Sequence, residues 1–220
     1  MPAFGQTKLQ IINSVLGRLR EAEVATSSIT TYAVLVSNVL NTVKTQIEQA
    51  WRWYELRDTY ALTVIPGTTS YALTSSGQFA QIIDAWNTTI DREVTRGSYA
   101  EFNRYFFSVD TVQTGDVQKY NITGLNNAYD LQIDTWPNVT STNSLSINIY
   151  KPLPDPSDST VILVPNQVLI EGMVAYLMAE RGDDSGTAYQ AQLDLYKDQL
   201  AGAIVAETGH DFTEVDWSAE

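Results

Sequence analysis

Residue types that perform chemistry are scarce in this chain. It has a single histidine, His210, and no cysteine. Disulfides, thiolate metal sites and cysteine nucleophiles are therefore excluded. His210 opens an aperiodic acidic segment and has no second histidine at ligand spacing. It reads as a solvated residue and not as a general base, and no transition-metal site or cofactor is expected. No Gly-x-Ser-x-Gly elbow, phosphate loop or dinucleotide fingerprint occurs. Asp183-Asp184-Ser185-Gly186 concentrates oxygen ligands. It lacks the alternating ligands and distal glutamate of a calcium loop and reads as a turn between helices. The overlapping Arg181-Gly182-Asp183 reads as helix end, stop glycine and turn, not as an adhesion tripeptide.

Carboxylates are abundant: 26 acidic against 13 basic residues, a net charge of -13. With so many, some pair can always be nominated for glycoside hydrolysis, which depends on a spatial separation that sequence does not carry. The net charge repels nucleic-acid phosphates and anionic membranes; it reads either as a device for solubility or as a surface past which DNA slides. The densest basic stretch is Arg92, Arg96, Arg104 and Lys119, interleaved with Tyr99, Phe102, Tyr105 and Phe106. Such interleaving can serve single-stranded nucleic acid. Four charges in nearly thirty residues instead fit a solvated face over a core-facing aromatic row.

The chain has 220 residues, 44% hydrophobic and 18% charged, enough for one compact core or two small ones. No run approaches the roughly 18 apolar residues of a membrane span. Residues 1–10 show no basic stretch followed by an apolar one, so no secretion signal is expected. The Asn-x-Thr triplets at Asn87, Asn121 and Asn138 are then chance occurrences.

Helical spacing governs both ends. Thr7-Lys8-Leu9-Gln10 has the form of a capping box, and Leu9, Ile12, Val15, Leu16 and Leu19 follow at helical steps, to an end expected near Ala22 to Ala25. The Thr26-Ser27-Ser28 cluster is placed to cap a long helix over Thr31 to Glu55. Its stripe is Val36, Leu40, Val43, Ile47, Ala50, Trp51 and Tyr54, with Trp51 as a core plug. Near the other end, Pro165 opens a helix over Asn166 to Arg181, with Val168, Leu169, Gly172, Met173, Tyr176 and Leu177 on one face. Gly182 stops it. A last helix over Thr187 to Glu207 carries Tyr189, Leu193, Tyr196, Leu200 and Ala203. So short a link makes the two antiparallel.

Between them the period falls to two. Thr59 to Val64 and Ser70 to Leu73 flank Pro66-Gly67 and read as a hairpin. Strands follow over Phe79 to Asn87, Val117 to Thr123, Tyr129 to Thr135 and Leu145 to Lys151, about six in all. A short helix lies around Tyr99 to Phe106. The fold class expected is α+β: a four-helix bundle from residues 1–56 and 157–209, an inserted β-rich unit over 57–156, and an extended acidic arm over 210–220.

Several of these segments together resemble the head-to-tail adaptor (connector) proteins of tailed bacteriophages, including the tail-tubular-A-like adaptors of short-tailed phages. The residues concerned are Ala50-Trp51-Arg52-Trp53-Tyr54-Glu55-Leu56 after the first helical pair, and Pro66-Gly67-Thr68-Thr69-Ser70-Tyr71-Ala72-Leu73 at the turn. Ile147-Asn148-Ile149-Tyr150-Lys151-Pro152-Leu153-Pro154 matches at the exit from the sheet, and Leu163-Val164-Pro165 before the last helical pair. At the turn the pattern has Leu followed by Pro, whereas this chain has Leu73-Thr74. The resemblance implies a structural virion protein without catalysis. It implies a ring of subunits, usually twelve, docked beneath the portal protein at the head-tail junction and made in the host bacterial cytoplasm. Such a ring continues the DNA channel, does not bind DNA specifically, contacts no membrane and recruits a tail tube or nozzle protein.

The arm is the expected portal-docking device. Phe212, Val215 and Trp217 are too few to form a core, and Asp211, Glu214 and Asp216 surround them, a composition suited to ordering on a partner. Two other readings compete: a carbohydrate- or surface-binding β-module, favoured by the aromatic content, and a carboxylate-based hydrolase.

Overall fold

The structure, a computed structural model, describes residues 5–77, 79–107, 113–182 and 186–208. In chain order its elements are α1 (Lys8–Arg18), α2 (Thr31–Ala50), a single 3-10 turn (Tyr54–Leu56), β1 (Arg57–Val64), β2 (Ser70–Ala72) and β3 (Gln81–Asn87). They continue with β4 (Arg92–Glu93), β5 (Thr95–Arg96), α3 (Tyr99–Phe107), β6 (Lys119–Leu125), β7 (Leu131–Trp136), β8 (Asn143–Tyr150), α4 (Asn166–Glu180) and α5 (Thr187–Thr208). The fold is α+β: α1, α2, α4 and α5 contact one another as a bundle, and the strands form an inserted unit. The chain divides into two compact units, one of residues up to Glu55 together with those from Leu153 onward, the other Leu56–Pro152.

In the helical unit, α4 sits at the centre. The sequence places its apolar residues on one face. The structure buries Val168, Leu169, Ile170, Met173, Val174, Ala175 and Leu177, which surround the helix, and leaves Tyr176 exposed. A helix apolar all round is a core helix, and α1, α2 and α5 enclose it. Gly172 marks the tightest approach. A Cβ there would lie 2.7 Å from Val43 Cγ1 of α2 and 2.8 Å from the Tyr196 ring of α5. Outermost is α5, with only Tyr196 buried, flanked by half-buried Tyr189, Leu193, Leu200 and Ala203 on the expected stripe.

The helix ends were harder to read from sequence. The capping box at α1 forms: Gln10 N–H donates to Thr7 Oγ1 (3.4 Å) and Thr7 N–H to Gln10 Oε1 (2.9 Å). The next amides, Lys8 and Leu9, donate to the carbonyls of Thr160 and Asp158. Its C-terminus comes at Arg18, earlier than expected. Arg20 adopts φ 60°, its N–H donates to Gly17, and Glu21 N–H donates to Leu16, which is a Schellman closure made without glycine. Asn13 then stitches the following loop, its Nδ2 donating to Val24 O and its Oδ1 accepting from Val24 N–H. Thr30, not the Thr26-Ser27-Ser28 cluster, caps α2 through Ala33 N–H. Helix α2 stops at Ala50, and Trp51 is extended. The core plug is therefore Trp53, 1% exposed, whose Nε1–H donates to the Ile47 carbonyl (2.6 Å), one of the terminal carbonyls that lack an intrahelical donor.

The β-unit corrects the expected hairpin. β1 and β2 do not pair; Pro66-Gly67 carries the chain from one sheet to another. One sheet has the order β1-β8-β3-β4 and the other β2-β7-β6-β5. Among the described residues there are eight strands, two more than expected. β4 and β5 have two residues each, too short to show a period. The sheets share one core. Leu62, Val64, Ala85, Leu145, Ile147 and Ile149 of the first meet Tyr120, Leu131 and Ile133 of the second, and Leu73, Val94, Val117 and Val139 close it from connecting segments. Inside it two fully buried amides of the first sheet tie it to the segment that enters β6. Asn87 Nδ2 donates to Asn143 Oδ1 (2.8 Å) and to Val117 O (3.1 Å), Val117 N–H returns to Asn143 Oδ1 (3.0 Å), and Asn143 Nδ2 reaches Asp116 (3.1 Å).

Two glycine substitutions separate packing from helix propensity. Gly172→Ala gains about 1 kcal/mol of propensity. It must displace Val43 and the Tyr196 ring, overpacking worth about 1–3 kcal/mol, so net destabilisation is expected. Gly202 of α5 has open space around its Cβ position, so Gly202→Ala should stabilise by up to about 1 kcal/mol. Thermal denaturation monitored by helical circular dichroism reads both; equal shifts of the same sign would contradict the role given to Gly172.

Candidate functional site

The ionisable groups that burial brings together are used for joining elements. Glu171 of α4 is buried and receives hydrogen bonds from Arg18 Nη1 of α1 (2.5 Å), Gln192 Nε2 of α5 (2.8 Å) and Gln167 Nε2. Burial pushes its pKa up, but the bonds from Arg18, Gln192 and Gln167 outweigh that and hold it below the ordinary 4.5. Lys44 and Glu48, one turn apart on α2, form a buried pair (3.1 Å) that grips one residue of backbone. Lys44 Nζ donates to the Leu153 carbonyl (2.7 Å), and Leu153 N–H donates to Glu48 (3.2 Å). Desolvation raises the Glu48 pKa, and Lys44 offsets it only in part. Arg181 donates to Glu21 (2.6 Å) and to the Tyr32 hydroxyl.

These arrangements supply no reacting centre. A general acid or base must reach a substrate. Glu48, the carboxyl whose pKa is raised, is sealed against Lys44 and Leu153. A groove of ≈ 570 Å³ lies between the loop after α1 and the start of α2, lined by Leu16, Val24, Ile29, Tyr32 and Ala33 with Glu21 and Glu23. Glu21 is already held there by Arg181. Among the described residues no group of three or more His, Cys, Asp or Glu is placed to hold a metal ion. Among them, too, no helix is long and apolar enough to cross a membrane.

The sequence-predicted docking residues Asp211, Phe212, Glu214, Val215, Asp216 and Trp217 lie outside the described residues, as do His210 and Asp183-Asp184-Ser185. Arg181 and Gly182 are found as helix end and stop glycine, with Gly182 at φ 85°. The basic-aromatic stretch is split by the fold. Phe102 is buried, while Tyr99 and Phe106 are exposed, so the row faces the core at one position only. Tyr105 stacks on Trp136 with ring centroids 4.0 Å apart. Lys119 binds Glu101, which also accepts from the Tyr105 hydroxyl (2.5 Å). Bonds from Lys119 and Tyr105 lower the Glu101 pKa, and the same contacts raise that of Lys119. Lys119 is thus committed to holding α3 on its sheet.

What sequence reasoning missed is the outer face of the first sheet. Thr59, Asn148 and Asp84 stand in register across β1, β8 and β3. Thr59 Oγ1 donates to Asn148 Oδ1, and Asn148 Nδ2 donates to Asp84 Oδ1, both 2.7 Å. The next rows are Ala61, Ser146 and Trp86, then Thr63 and Ser144. The face is largely polar, with Trp86 tied to Asp91 (3.2 Å). Alternation in β1 and β8 carried the signal, but pairing β1 with β2 hid it. Thr59, Asn148 and Asp84 on it are bonded to one another and supply no reacting group.

The Glu171 tie has a pH signature. Its folded pKa lies below the unfolded value, so its contribution is complete above about 4.5 and is lost as pH falls through the folded pKa. Glu171→Gln should cost about 1.5–3 kcal/mol at pH 7, the worth of charge-assisted hydrogen bonds. The gap to wild type should close as pH is lowered towards 3, measured by thermal denaturation across that range. A gap independent of pH would assign the loss to packing instead.

Comparison with known proteins fits a contact protein. A family model described as SU10 adaptor protein matches residues 6–215, which takes in the helical unit, the β-unit and the start of the acidic segment. No curated protein matches the chain. With nearly its whole length matched, the chain belongs to the SU10 adaptor protein family, and its role is that of a structural, non-catalytic head-to-tail adaptor of a tailed phage.

Proposed function

We propose that copies of this chain, twelve in number, form a ring beneath the portal protein, that the ring continues the DNA channel, and that it presents a landing surface to the tail tube or nozzle component. The observation that carries this reading is the family match, which runs unbroken through both units and into the acidic segment. The fold supports it physically. A ring subunit needs a scaffold that does not deform, and the bundle around α4 is cross-tied at Glu171 and Lys44–Glu48. It also needs side surfaces, and the β-unit offers a polar outer sheet face and loop-rich ends.

In this reading residues 210–220 are the portal-docking arm. Phe212, Val215 and Trp217 bury in portal grooves, each gaining about 1.5–3 kcal/mol on leaving water. Asp211, Glu214, Asp216 and Glu220 meet basic rims, which steer encounter. The free chain stays monomeric until a portal templates it, because a ring closed in advance competes with docking. Deleting residues 210–220 should leave the melting temperature unchanged and abolish portal binding in a co-sedimentation assay, and Phe212→Ala with Trp217→Ala should do most of the same damage. Portal binding that survives the deletion defeats the arm; a collapse of the fold makes the arm part of the core.

The charge of -13 bears on the channel. A DNA-facing wall that is acidic on balance lets the duplex slide, because it offers few Lys or Arg to neutralise phosphates and release the counterions condensed on them. Free protein should therefore show no tight, salt-sensitive duplex binding in a fluorescence-anisotropy titration between low and physiological salt. A steep loss of affinity with added salt would show a cationic contact surface instead.

A further inference from the structure

A sheet edge presents a row of backbone donors and acceptors, and the group that satisfies such a row is another extended backbone. The β-unit has four edge strands, β1 and β4 in the first sheet and β2 and β5 in the second. Three are blunted by their length: β4 and β5 have two residues each and β2 has three. β1 has eight and pairs with β8 along its whole length without a bulge. From Thr59 to Val64 it has no charged residue and no proline. Shortness, bulge, charge and proline, the devices that protect an edge, are all missing from its middle.

The outer edge of β1 can be followed bond by bond. Lys151 N–H donates to the Leu56 carbonyl (2.8 Å), which makes 56 and 151 a bonded pair and sets the parity of the ladder. Asp58, Tyr60, Leu62 and Val64 then bond β8, and the backbone groups of Thr59, Ala61 and Thr63 point away from it. The chain closes this edge on both sides of its middle. Thr59 N–H donates to Asp58 Oδ1 (2.8 Å), and just past the strand Ile65 N–H donates to the Tyr71 hydroxyl (2.9 Å). Between these closures the N–H groups of Ala61 and Thr63 have no partner among the described residues, and both residues are exposed.

The gap specifies its occupant. An added strand continues both faces of the sheet. On one side its residues lie beside Tyr60, Leu62 and Val64, which pack on the apolar core, and on the other beside Thr59, Ala61 and Thr63. An extended segment in which apolar residues alternate with small or polar ones meets both. The strands of a neighbouring copy do not supply it. The remaining edges are two or three residues long, and pairing β1 with β1 needs a two-fold axis, which a ring of copies pointing one way lacks. Portal is already met by residues 210–220 in the reading above, which leaves the tail component without an assigned contact. We propose that the open edge of β1 takes an extended segment of the tail tube or nozzle component as an added strand, bonded through Ala61 and Thr63. The inference rests on the ring reading and adds how the next component is held.

Hydrogen exchange on the unmodified protein reads these amides. Adding the tail component to portal-bound rings should slow the fast-exchanging amides of residues 59–64 at least about ten-fold, as ladder bonds form. Negative-stain imaging before the addition separates two failures. Absence of rings on portal defeats the ring reading and the proposal with it; rings that bind the tail component with unchanged exchange defeat the added strand alone. As a second measurement, Ala61→Pro removes one outward N–H and leaves the β1–β8 bonds in place, since proline is tolerated where an edge N–H faces outward. Rings should still form, and the tail component retained per ring should fall several-fold, whereas Ala61→Val retains it; full retention by Ala61→Pro overturns the proposal. p-Benzoylphenylalanine at Ala61, irradiated in assembled phage, gives a readout that keeps the backbone amide. The expected adduct is with the tail component. Adducts with portal alone, or with a second copy of this chain alone, also overturn the proposal.

Discussion

Helix α4 has no polar face. Val168, Leu169, Ile170, Met173, Val174, Ala175 and Leu177 point in every direction around its axis and are all buried. A helix of this kind gains nothing from water on any side and persists only when enclosed. Enclosure requires elements from both ends of the chain, because α1 and α2 precede the β-unit and α5 ends the described residues. The inserted β-unit is thereby held by its two ends in one bundle. Gly172 shows how close the enclosure is: α2 and α5 approach α4 at a point where a single methyl group has no room.

The same enclosure explains what became of the charges. Burying a carboxylate costs several kcal/mol unless it is paired and hydrogen-bonded. Where the bundle closes, Glu171 is met from three helices and Glu48 from its own lysine and one residue of backbone. Arg181 and Glu21 close another corner. A group locked in this way holds structure and is lost to catalysis. That is the physical content of a non-catalytic adaptor: the ionisable side chains with defined partners are joints, and function belongs to surfaces.

The β-unit reaches rigidity by another route. Its core is apolar but pinned by Asn87 and Asn143, amides of the first sheet satisfied by each other and by the segment that enters β6. Such pinning suits a subunit that must present the same outline in every copy. The outer face of the first sheet is one such outline, its polar side chains Thr59, Asn148 and Asp84 bonded in a row.

Sequence alone determined a good deal here. Periodicity gave α1, α2, α4 and α5, the capping box at Thr7, the stop at Gly182, and the α+β order, because spacing along the chain is what sets an amphipathic face and a cap. The same spacing, with the tryptophan, turn and proline segments, carried the resemblance to phage adaptors. Tertiary structure decided the rest. It chose Trp53 over Trp51 as the plug, since a helix end depends on which side chain can supply a donor to the last carbonyls. It placed β1 beside β8 and not β2, since strand pairing follows how two sheets share a core and not how close strands lie in sequence. It also brought residues 73–76 to Asp130 and Leu131, distant in sequence. A local pattern records which residues are apolar or neutral; only the packed chain records which of them meet.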